Sequence, residues 1–537
     1  MSTGISTQAF TGTRGLIQLA GKRDRIMLPI WIYVLVGTAA SSAYSIKGVY
    51  PDQASRDALT SSTNAVFGVV ALYGPIQSPT VGGIISWKIA LVEAVLAAVM
   101  SILLVVRHTR AEEQTGRQEL LGAAPLGRCA PATAALGLVA VANLAFAVVS
   151  ALALAYFTGS FAGSLVLGLA IGGVGLVFGA LAAVTAQLSE SSRTANGIAA
   201  SALGALYLVR AAADSGGPGW LAWCTPIGWL EKARPYAGDR WWVLVLYLAA
   251  TLALAAGALR LAGGRDLGAG LLPSRPGAPR AGRDLRGVGG LAWRLQRGAL
   301  IGWSAGFVIA GAALGALAKD VGTLVNSSSA QAEQVIERMG GQPGIENAYL
   351  SAMNGIMGVL AGAYAIQAAL RARGEESAGH AEALLAGPVG RIRWMATHLV
   401  MALAGAAVLL TVYGVGVGLA DGIRGHDVSS ALATMIGAAL AQWPAVALIA
   451  GLTVLAVGAA PRYAPLAWAV LLVSLLLSEF GPVLRLAQPV LDVSPFTHVP
   501  KLPGTEVAWA PLVWLAVIAA ALIGGALTSF RRRDLTT

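Results

Sequence analysis

Twelve apolar runs divide the chain, and each is close to or longer than the ~20 residues that a helix needs to cross a bilayer. Only 12% of the 537 residues are charged, against about 25% in a typical soluble protein. Because hydrocarbon offers no partners to the backbone, apolar runs of this length must form helices there. The sequence therefore predicts an all-α polytopic membrane protein with twelve transmembrane helices.

The predicted spans fall into two sets of six. The first set covers 26–45, 84–106, 130–157, 161–187, 195–213 and 241–262. The second set covers 298–318, 350–370, 395–420, 429–458, 463–479 and 508–529.

A charged segment follows the second span of each set and has the same pattern in both. Residues 110–128, RAEEQTGRQELLGAAPLGR, match residues 373–391, RGEESAGHAEALLAGPVGR, at ten of nineteen positions without a gap. Apolar helices can resemble one another because they are built from the same few residue types. Two polar segments do not share this bias in composition, so their match indicates a duplication. The repeat therefore predicts two fused six-span copies in parallel orientation, 1–262 and 291–537, joined by a Gly-, Pro- and Arg-rich linker, 263–290.

The repeat continues at the end of each copy. Leu261-Ala-Gly-Gly-Arg-Asp-Leu267 closes the first copy, and Phe530-Arg-Arg-Arg-Asp-Leu535 closes the second. With a cytoplasmic N-terminus, most of the 37 Lys and Arg residues fall in cytoplasmic segments, as the positive-inside rule requires. We therefore expect both termini and both charged segments in the cytoplasm. Since the positive charge lies between spans, it gives no support to nucleic-acid binding.

The residues shared by the two charged segments predict a short acidic helix with a rigid exit. Acidic residues in the first helical turn complement the helix dipole, a glycine then permits a bend, and a proline ends the element. A solvated loop that only sets topology is the alternative, but topology needs positive charge and does not explain shared glutamates. We expect a symmetric cytoplasmic partner to contact Glu112, Glu113, Gly116, Glu119, Leu121, Pro125 and Arg128, and in the second copy Glu375, Glu376, Gly379, Glu382, Leu384, Pro388 and Arg391.

The pattern E-E-x-x-G-x-x-E-x-L-x-x-x-P-x-x-R after the second span resembles the coupling element of ABC exporter permeases of the ABC-2 type. The twelve-span form, with GWLEKARPYAGDRWW (Gly228–Trp242) before the sixth span and SPFTHVPKLPG (Ser494–Gly504) before the twelfth, resembles the actinobacterial exporter of polyketide antibiotics family. That family includes tetronasin-type and multidrug efflux systems. The resemblance covers nearly the whole chain.

The resemblance implies a non-catalytic permease subunit in a bacterial cell membrane that exports large hydrophobic compounds, polyketide antibiotics or drugs, by alternating access. Two copies of a separate ATP-binding subunit would bind ATP and Mg and would each receive one coupling element. The basic stretches 11–25 and 283–297 would be interfacial connecting helices. The second copy departs from the first at Ala383 and Leu385, which replace Leu120 and Gly122, so the docking sites are expected to be similar but unequal.

No nucleotide or metal cofactor is expected on this chain itself. A P-loop needs G-x-x-x-x-G-K-[ST] to hold phosphates, and the only Gly-Lys pair, Gly21-Lys22, is followed by Arg23. Isolated histidines without other ligand types nearby predict no metal site.

Polar and aromatic residues within the spans are candidates for a substrate path. We name Trp31, Lys88, Glu93, Trp303 and Asn354. A charge at membrane depth is costly and usually faces a cavity or a partner. The alternatives are snorkelling for Lys88 with Glu93 paired to it or to a neighbour, an interfacial belt for the tryptophans, and an interhelical hydrogen bond for the asparagine.

Two other classes of protein fit the sequence less well. A proton-coupled secondary transporter of the major-facilitator type would also have twelve spans, but it predicts a basic G-x-x-x-D-R-x-G-R-R-like loop where this chain is acidic. A membrane enzyme for lipid-linked substrates would need a catalytic acidic cluster, whereas the glutamates here recur at one spacing in two copies.

Overall fold

The computed structural model describes residues 7–65, 67–117, 125–214, 216–266, 268–272, 279–280, 282, 285, 287–326, 345–425, 427–480 and 487–534. Over these residues the chain forms helices and no strands, which confirms the all-α class. Twelve of the helices in this part are long and apolar enough to cross a membrane, as predicted. The chain divides into two compact units, Met1–Pro276 and Gly277–Thr537.

The first unit holds eleven α-helices within its described residues. They are α1 (Thr13–Arg23), α2 (Met27–Val49), α3 (Gln53–Ala65), α4 (Phe67–Tyr73), α5 (Val81–His108), α6 (Arg110–Gln114), α7 (Ala130–Thr158), α8 (Phe161–Leu188), α9 (Ser192–Asp214), α10 (Pro226–Lys232) and α11 (Val243–Gly263). The candidate spans are α2, α5 with α6, α7, α8, α9 and α11.

Helix α8 is the centre of the first unit, and it packs against α5, α7, α9 and α11. Its glycines permit this, since a Cβ on Gly168 would lie only 2.6 Å from the carbonyl oxygen of Ala147 in α7. Small residues at helix interfaces let backbones approach closely, and this packing holds membrane helices together where the hydrophobic effect cannot. The glycine and alanine residues of these helices therefore allow the backbones of neighbouring helices to come into direct contact.

Helix α1 packs against α7 and is separated from α2 by a turn at Asp24. The Asp24 carboxylate is fully buried; it lies 3.0 Å from Arg107 Nη1 and also contacts His108 Nε2, both at the end of α5. Because a buried carboxylate needs such partners, these contacts fix the turn. The first basic stretch, 11–25, thus contains a separate helix.

The second unit holds nine α-helices within its described residues. They are α12 (Val288–Asn326), α13 (Ile345–Ser377), α14 (His380–Leu385), α15 (Arg391–Gly425), α16 (Val428–Leu440), α17 (Trp443–Ala459), α18 (Ala467–Leu475), α19 (Gln488–Leu491) and α20 (Trp509–Arg532). The candidate spans are α12, α13, α15, α16 with α17, the stretch Pro461–Ser478 that contains α18, and α20.

Two features of the second unit differ from the sequence expectation. The basic stretch 283–297 was predicted to form a separate interfacial helix, which is wrong for its described part, because α12 runs unbroken from Val288 into the span. This stretch contains no proline to interrupt the helix. The fourth span, predicted as one run, is interrupted between α16 and α17, where Pro444 cannot donate to the helix ladder.

The second unit packs the same pairs of spans as the first. Its fourth span, through α17, contacts the second (α13), the third (α15) and the sixth (α20). Glycines again allow the approach: a Cβ on Gly458 would lie 2.6 Å from the carbonyl oxygen of Ala526, and one on Gly311 would lie 2.5 Å from that of Tyr413. The sixth span is therefore held tightly along the fourth in this unit.

Replacement of Gly168 by Ala should destabilise the first unit, because the new Cβ would overlap the Ala147 carbonyl oxygen at 2.6 Å. Overpacking of a close interface costs roughly 1–3 kcal/mol, so the thermal unfolding midpoint of the detergent-solubilised protein should fall. Gly257→Ala in α11 is the matched control, since its Cβ would meet nothing within 4 Å. Equal midpoints for the two variants would contradict the close α7–α8 contact.

Candidate coupling elements

The first element, residues 110–128, begins with a kink at Thr109 and continues as α6. Gly116 follows with φ of 70°, a conformation that residues with a Cβ rarely adopt. Glu119 and Leu121 lie outside the described residues. Pro125 and Arg128 are exposed, and Arg128 directly precedes Cys129 and α7. The bend that the sequence permits at Gly116 is present.

The second element, residues 373–391, starts in the last turn of α13 and bends at Gly379, whose φ is 73°. Helix α14 follows the bend. Within and after it, Glu382 and Pro388 are exposed and Leu384 is half-buried, and Arg391 then opens α15. This element therefore consists of a helix end, a left-handed glycine and a short helix with an exposed acidic side chain.

The carboxylate of Glu113 faces the inside of the first unit. Its side chain is only 5% exposed and accepts two hydrogen bonds from the guanidinium of Arg265, one of them 2.9 Å long at Oε2. Arg265 lies two residues beyond the end of α11, the sixth span. The first element is therefore fixed to the end of that span by a buried, two-bond ion pair.

Glu376 makes the same kind of contact in the second unit. Its side chain is 2% exposed, and Arg533 Nη2 donates to Oε1 at 2.7 Å and to Oε2 at 2.9 Å. Arg533 follows directly on the end of α20, the sixth span of this unit. We refer to Glu113–Arg265 and Glu376–Arg533 as the anchor pairs.

A second contact with the end of the sixth span is also made in each unit. Arg128 Nη1 donates to the carbonyl oxygen of Gly263 at 3.5 Å. Arg391 Nη1 donates to that of Arg531 at 3.4 Å and to that of Arg533 at 2.6 Å. Each element is thus held near its beginning by a glutamate and at its end by an arginine.

The remaining contacts of the two elements differ. Glu112 pairs with Arg23 of α1, whereas Glu375 pairs with Arg371 at 2.6 Å and with His380 at 3.0 Å. Arg110 and Arg373 each pair with the glutamate three residues on, Arg110 with Glu113 at 2.7 Å and Arg373 with Glu376 at 3.3 Å. The guanidinium of Arg110 is fully buried and also donates to the carbonyl oxygens of Ala186, at 3.1 Å, and Ala269, at 2.8 Å, whereas Arg373 is 29% exposed.

The candidate substrate-path residues of the first unit do not form one cluster. Glu93 is buried in the second span, with Thr38 Oγ1 3.5 Å from its Oε1, while Lys88 is exposed. No ion pair joins Lys88 to Glu93 among the described side chains. Trp31 is half-buried against the core of this unit. A role in a substrate path stays a prediction for all three.

In the second unit, the other two candidates are held by hydrogen bonds within the protein. Asn354 is buried, and its Nδ2 donates to the carbonyl oxygen of Leu502 at 2.9 Å. Trp303 Nε1 donates to Gln367 Oε1 at 2.9 Å. The partner of Asn354 lies in a loop, so its bond is not the interhelical bond considered as the alternative, and a substrate contact stays a prediction for both residues.

Arg265 and Arg533 are not among the site residues predicted from the sequence. The Arg-Asp-Leu motif to which they belong indicated only a duplication. The shared motif was the signal that could have identified them. Arg531 and Arg532 already supply the positive charge that topology requires, so an arginine at the same place in both motifs needs another explanation.

The twelve spans and the charged elements at span ends define a polytopic membrane permease. Residues 285–531 match the family model described as "Multidrug efflux system permease Rv1217c, C-terminal domain". The chain is 42% identical over 527 residues to "Multidrug efflux system permease protein Rv1217c" of Mycobacterium tuberculosis, which covers 98% of this chain and 96% of that protein. The chain belongs to this family of multidrug efflux system permeases, of the ABC-2 type.

Replacement of Gly379 by Ala should impair the second element more than replacement by Asn. Nothing lies within 4 Å of a Cβ at this position, so the cost comes only from the φ of 73°. A left-handed residue with a Cβ costs roughly 1–2 kcal/mol, and Asn bears it better than Ala. We expect Gly379→Ala to give the lower thermal midpoint and the weaker drug efflux; a worse result for Asn, the larger residue, would refute this.

Proposed function

We propose that the chain is the transmembrane subunit of an ABC exporter in a bacterial cell membrane, with both termini in the cytoplasm. Two copies of a separate ATP-binding subunit dock on residues 110–128 and 373–391. Closure of that dimer on ATP and Mg drives alternating access and moves large hydrophobic compounds, such as polyketide antibiotics or drugs, out of the cell. The chain itself carries out no chemical reaction.

The observation that supports this proposal best is the pair of charged elements. Each is bent at a glycine, has exposed side chains among its described residues, and is attached to the end of a sixth span through a buried carboxylate. The relative is named as a permease of an efflux system, and a system implies further components. The sequence contains no P-loop motif for binding ATP, so the proposal assigns ATP binding to a separate partner subunit.

An apolar cavity in the second unit supports a hydrophobic cargo. It has a volume of about 670 Å³ and lies between α16, α17 and the start of α20, where Trp443, Trp509 and Leu512 line it. Apolar cavities of about 300–1,000 Å³ suit drug-sized molecules. Family membership favours this function over the major-facilitator alternative, whose basic loop the chain lacks.

Reversal of the charge of an exposed residue tests the docking site. Glu382 lies on the exposed side of α14, so Glu382→Lys should weaken binding of an ATP-binding subunit by about tenfold, or ~1.4 kcal/mol, if it meets a basic groove. The measurement is the amount of ATP-binding subunit that co-purifies with the tagged chain, identified by mass spectrometry.

Glu506→Lys is the matched control, because Glu506 is exposed at the opposite end of α20 from Arg533. It should leave the yield of the ATP-binding subunit unchanged. If no ATP-binding subunit accompanies even the unaltered chain, the proposed function is wrong.

Cysteine labelling tests the proposed orientation. Cys224 is exposed between the fifth and sixth spans, whereas Cys129 is buried beside the first element, and burial raises the pKa of its thiol. Since the thiolate reacts with maleimide, a membrane-impermeant maleimide should label intact cells at Cys224 alone. Cys224→Ser should abolish the signal, and labelling that requires permeabilised cells would place the N-terminus outside.

A further inference from the structure

The two anchor pairs join residues at equivalent places in the sequence, and both bury the glutamate against the arginine. Glu113 and Glu376 hold the same place in the repeated element, and Arg265 and Arg533 each open an Arg-Asp-Leu motif. In both units the arginine donates two hydrogen bonds to the carboxylate, which is almost completely buried. A loop that only set topology would have no reason to bury the same carboxylate against the same arginine twice.

In the first unit, Nη1 and Nη2 of Arg265 each donate to one oxygen of Glu113, a two-nitrogen contact that lysine cannot make. In the second unit a single nitrogen, Nη2 of Arg533, donates to both oxygens of Glu376. In the second unit, Arg533 also lies over the ring of Phe530 at 5.4 Å, and Phe530 stacks on Trp394 of α15 at 5.5 Å. The guanidinium is therefore held from two sides, by the element and by the core beneath it.

Each element is attached to its sixth span at two points. Glu376 contacts Arg533, and Arg391, at the other end of the second element, contacts the carbonyl oxygens of Arg531 and Arg533. A movement of the element must therefore displace the end of α20 or break both contacts. Because α20 packs closely along α17 at Gly458, such a displacement reaches the fourth span. Contiguous contacts of this kind can carry coupling between distant sites.

We propose that Arg265 and Arg533 are positioning residues that transmit the movement of each coupling element to the cytoplasmic end of its sixth span. This inference rests on the proposed function, because it assumes that an ATP-binding subunit moves the elements. Glu113 and Glu376 then act inside the permease, while exposed side chains such as Glu382 contact the partner.

The test uses the complete complex, reconstituted with its ATP-binding subunit. Arg533→Gln should leave the co-purified subunit and ATP hydrolysis in place but lower drug transport by about tenfold, within the range of mutations along coupling networks. Arg265→Gln should act in the same direction. Arg532→Gln and Arg260→Gln are matched controls. Both arginines are exposed at the same span ends, and each substitution removes the same charge.

A charge exchange separates coupling from simple stability. The double variant Glu376→Arg with Arg533→Glu should recover most of the transport lost in Arg533→Gln, because it restores the pair with its ends interchanged. The second unit is the place for it, since Arg373, the arginine beside Glu376, is 29% exposed, whereas Arg110 beside Glu113 is fully buried. If Arg533→Gln does not give a folded protein, Arg533→Lys keeps the charge but loses the planar guanidinium that lies over Phe530, and it should lower transport by a smaller factor.

Three results would overturn the inference: transport by Arg533→Gln equal to that of Arg532→Gln, loss of the ATP-binding subunit from Arg533→Gln, or no recovery in the folded double variant. The second result would assign Arg533 to docking. Failure of the proposed function looks different, because the unaltered chain would then purify without any ATP-binding subunit.

Discussion

The absence of hydrogen-bond partners in the hydrocarbon core of a bilayer determines most of this structure. Every backbone group in a span must be satisfied within the span, so the chain forms helices there. Polar side chains in the spans follow the same rule: Asn143 Nδ2 donates to Ser101 Oγ at 3.0 Å and to the carbonyl oxygen of Val139 at 2.9 Å. With little hydrophobic drive between helices, close contacts at Gly168 and Gly458 supply the packing.

The same constraint moves the charged groups to the span ends and pairs them there. Besides the anchor pairs, Arg210 is fully buried near the end of α9 that lies away from the first element. Its guanidinium meets Asp214 at 3.1 Å and Glu231 at 3.4 Å. Burial raises the pKa of Glu231 to about 8. Charge is thus balanced locally at both ends of the first unit.

The parts of the fold that depend on local sequence could be predicted, and those that depend on distant contacts could not. Hydropathy is a local property, and it found all twelve spans, although the helix of the seventh begins at Val288 rather than at 298 and that of the eighth extends to Ser377 rather than to 370. The sequence could not predict that only the first basic stretch forms a separate helix. The turn that separates α1 from α2 depends on contacts of Asp24 with Arg107 and His108, which belong to a later helix. The anchor pairs join residues more than 150 positions apart in the sequence. Both partners lie in repeated motifs, but the sequence alone does not show that they are in contact.

The differences between the elements show which contacts a shared task requires. Arg110 is buried and bonded to Ala186 and Ala269, whereas Arg373 is partly exposed, so this position differs in its surroundings between the two halves. In the first unit the chain beyond Arg265 also crosses the end of α8, where the amide of Leu272 donates to the carbonyl oxygen of Leu188 at 2.9 Å. The buried glutamate and its arginine are present in both halves in spite of these differences. A contact needed only for local stability could have been replaced by another in either half, whereas a contact that links each element to its own sixth span has the same work to do in both.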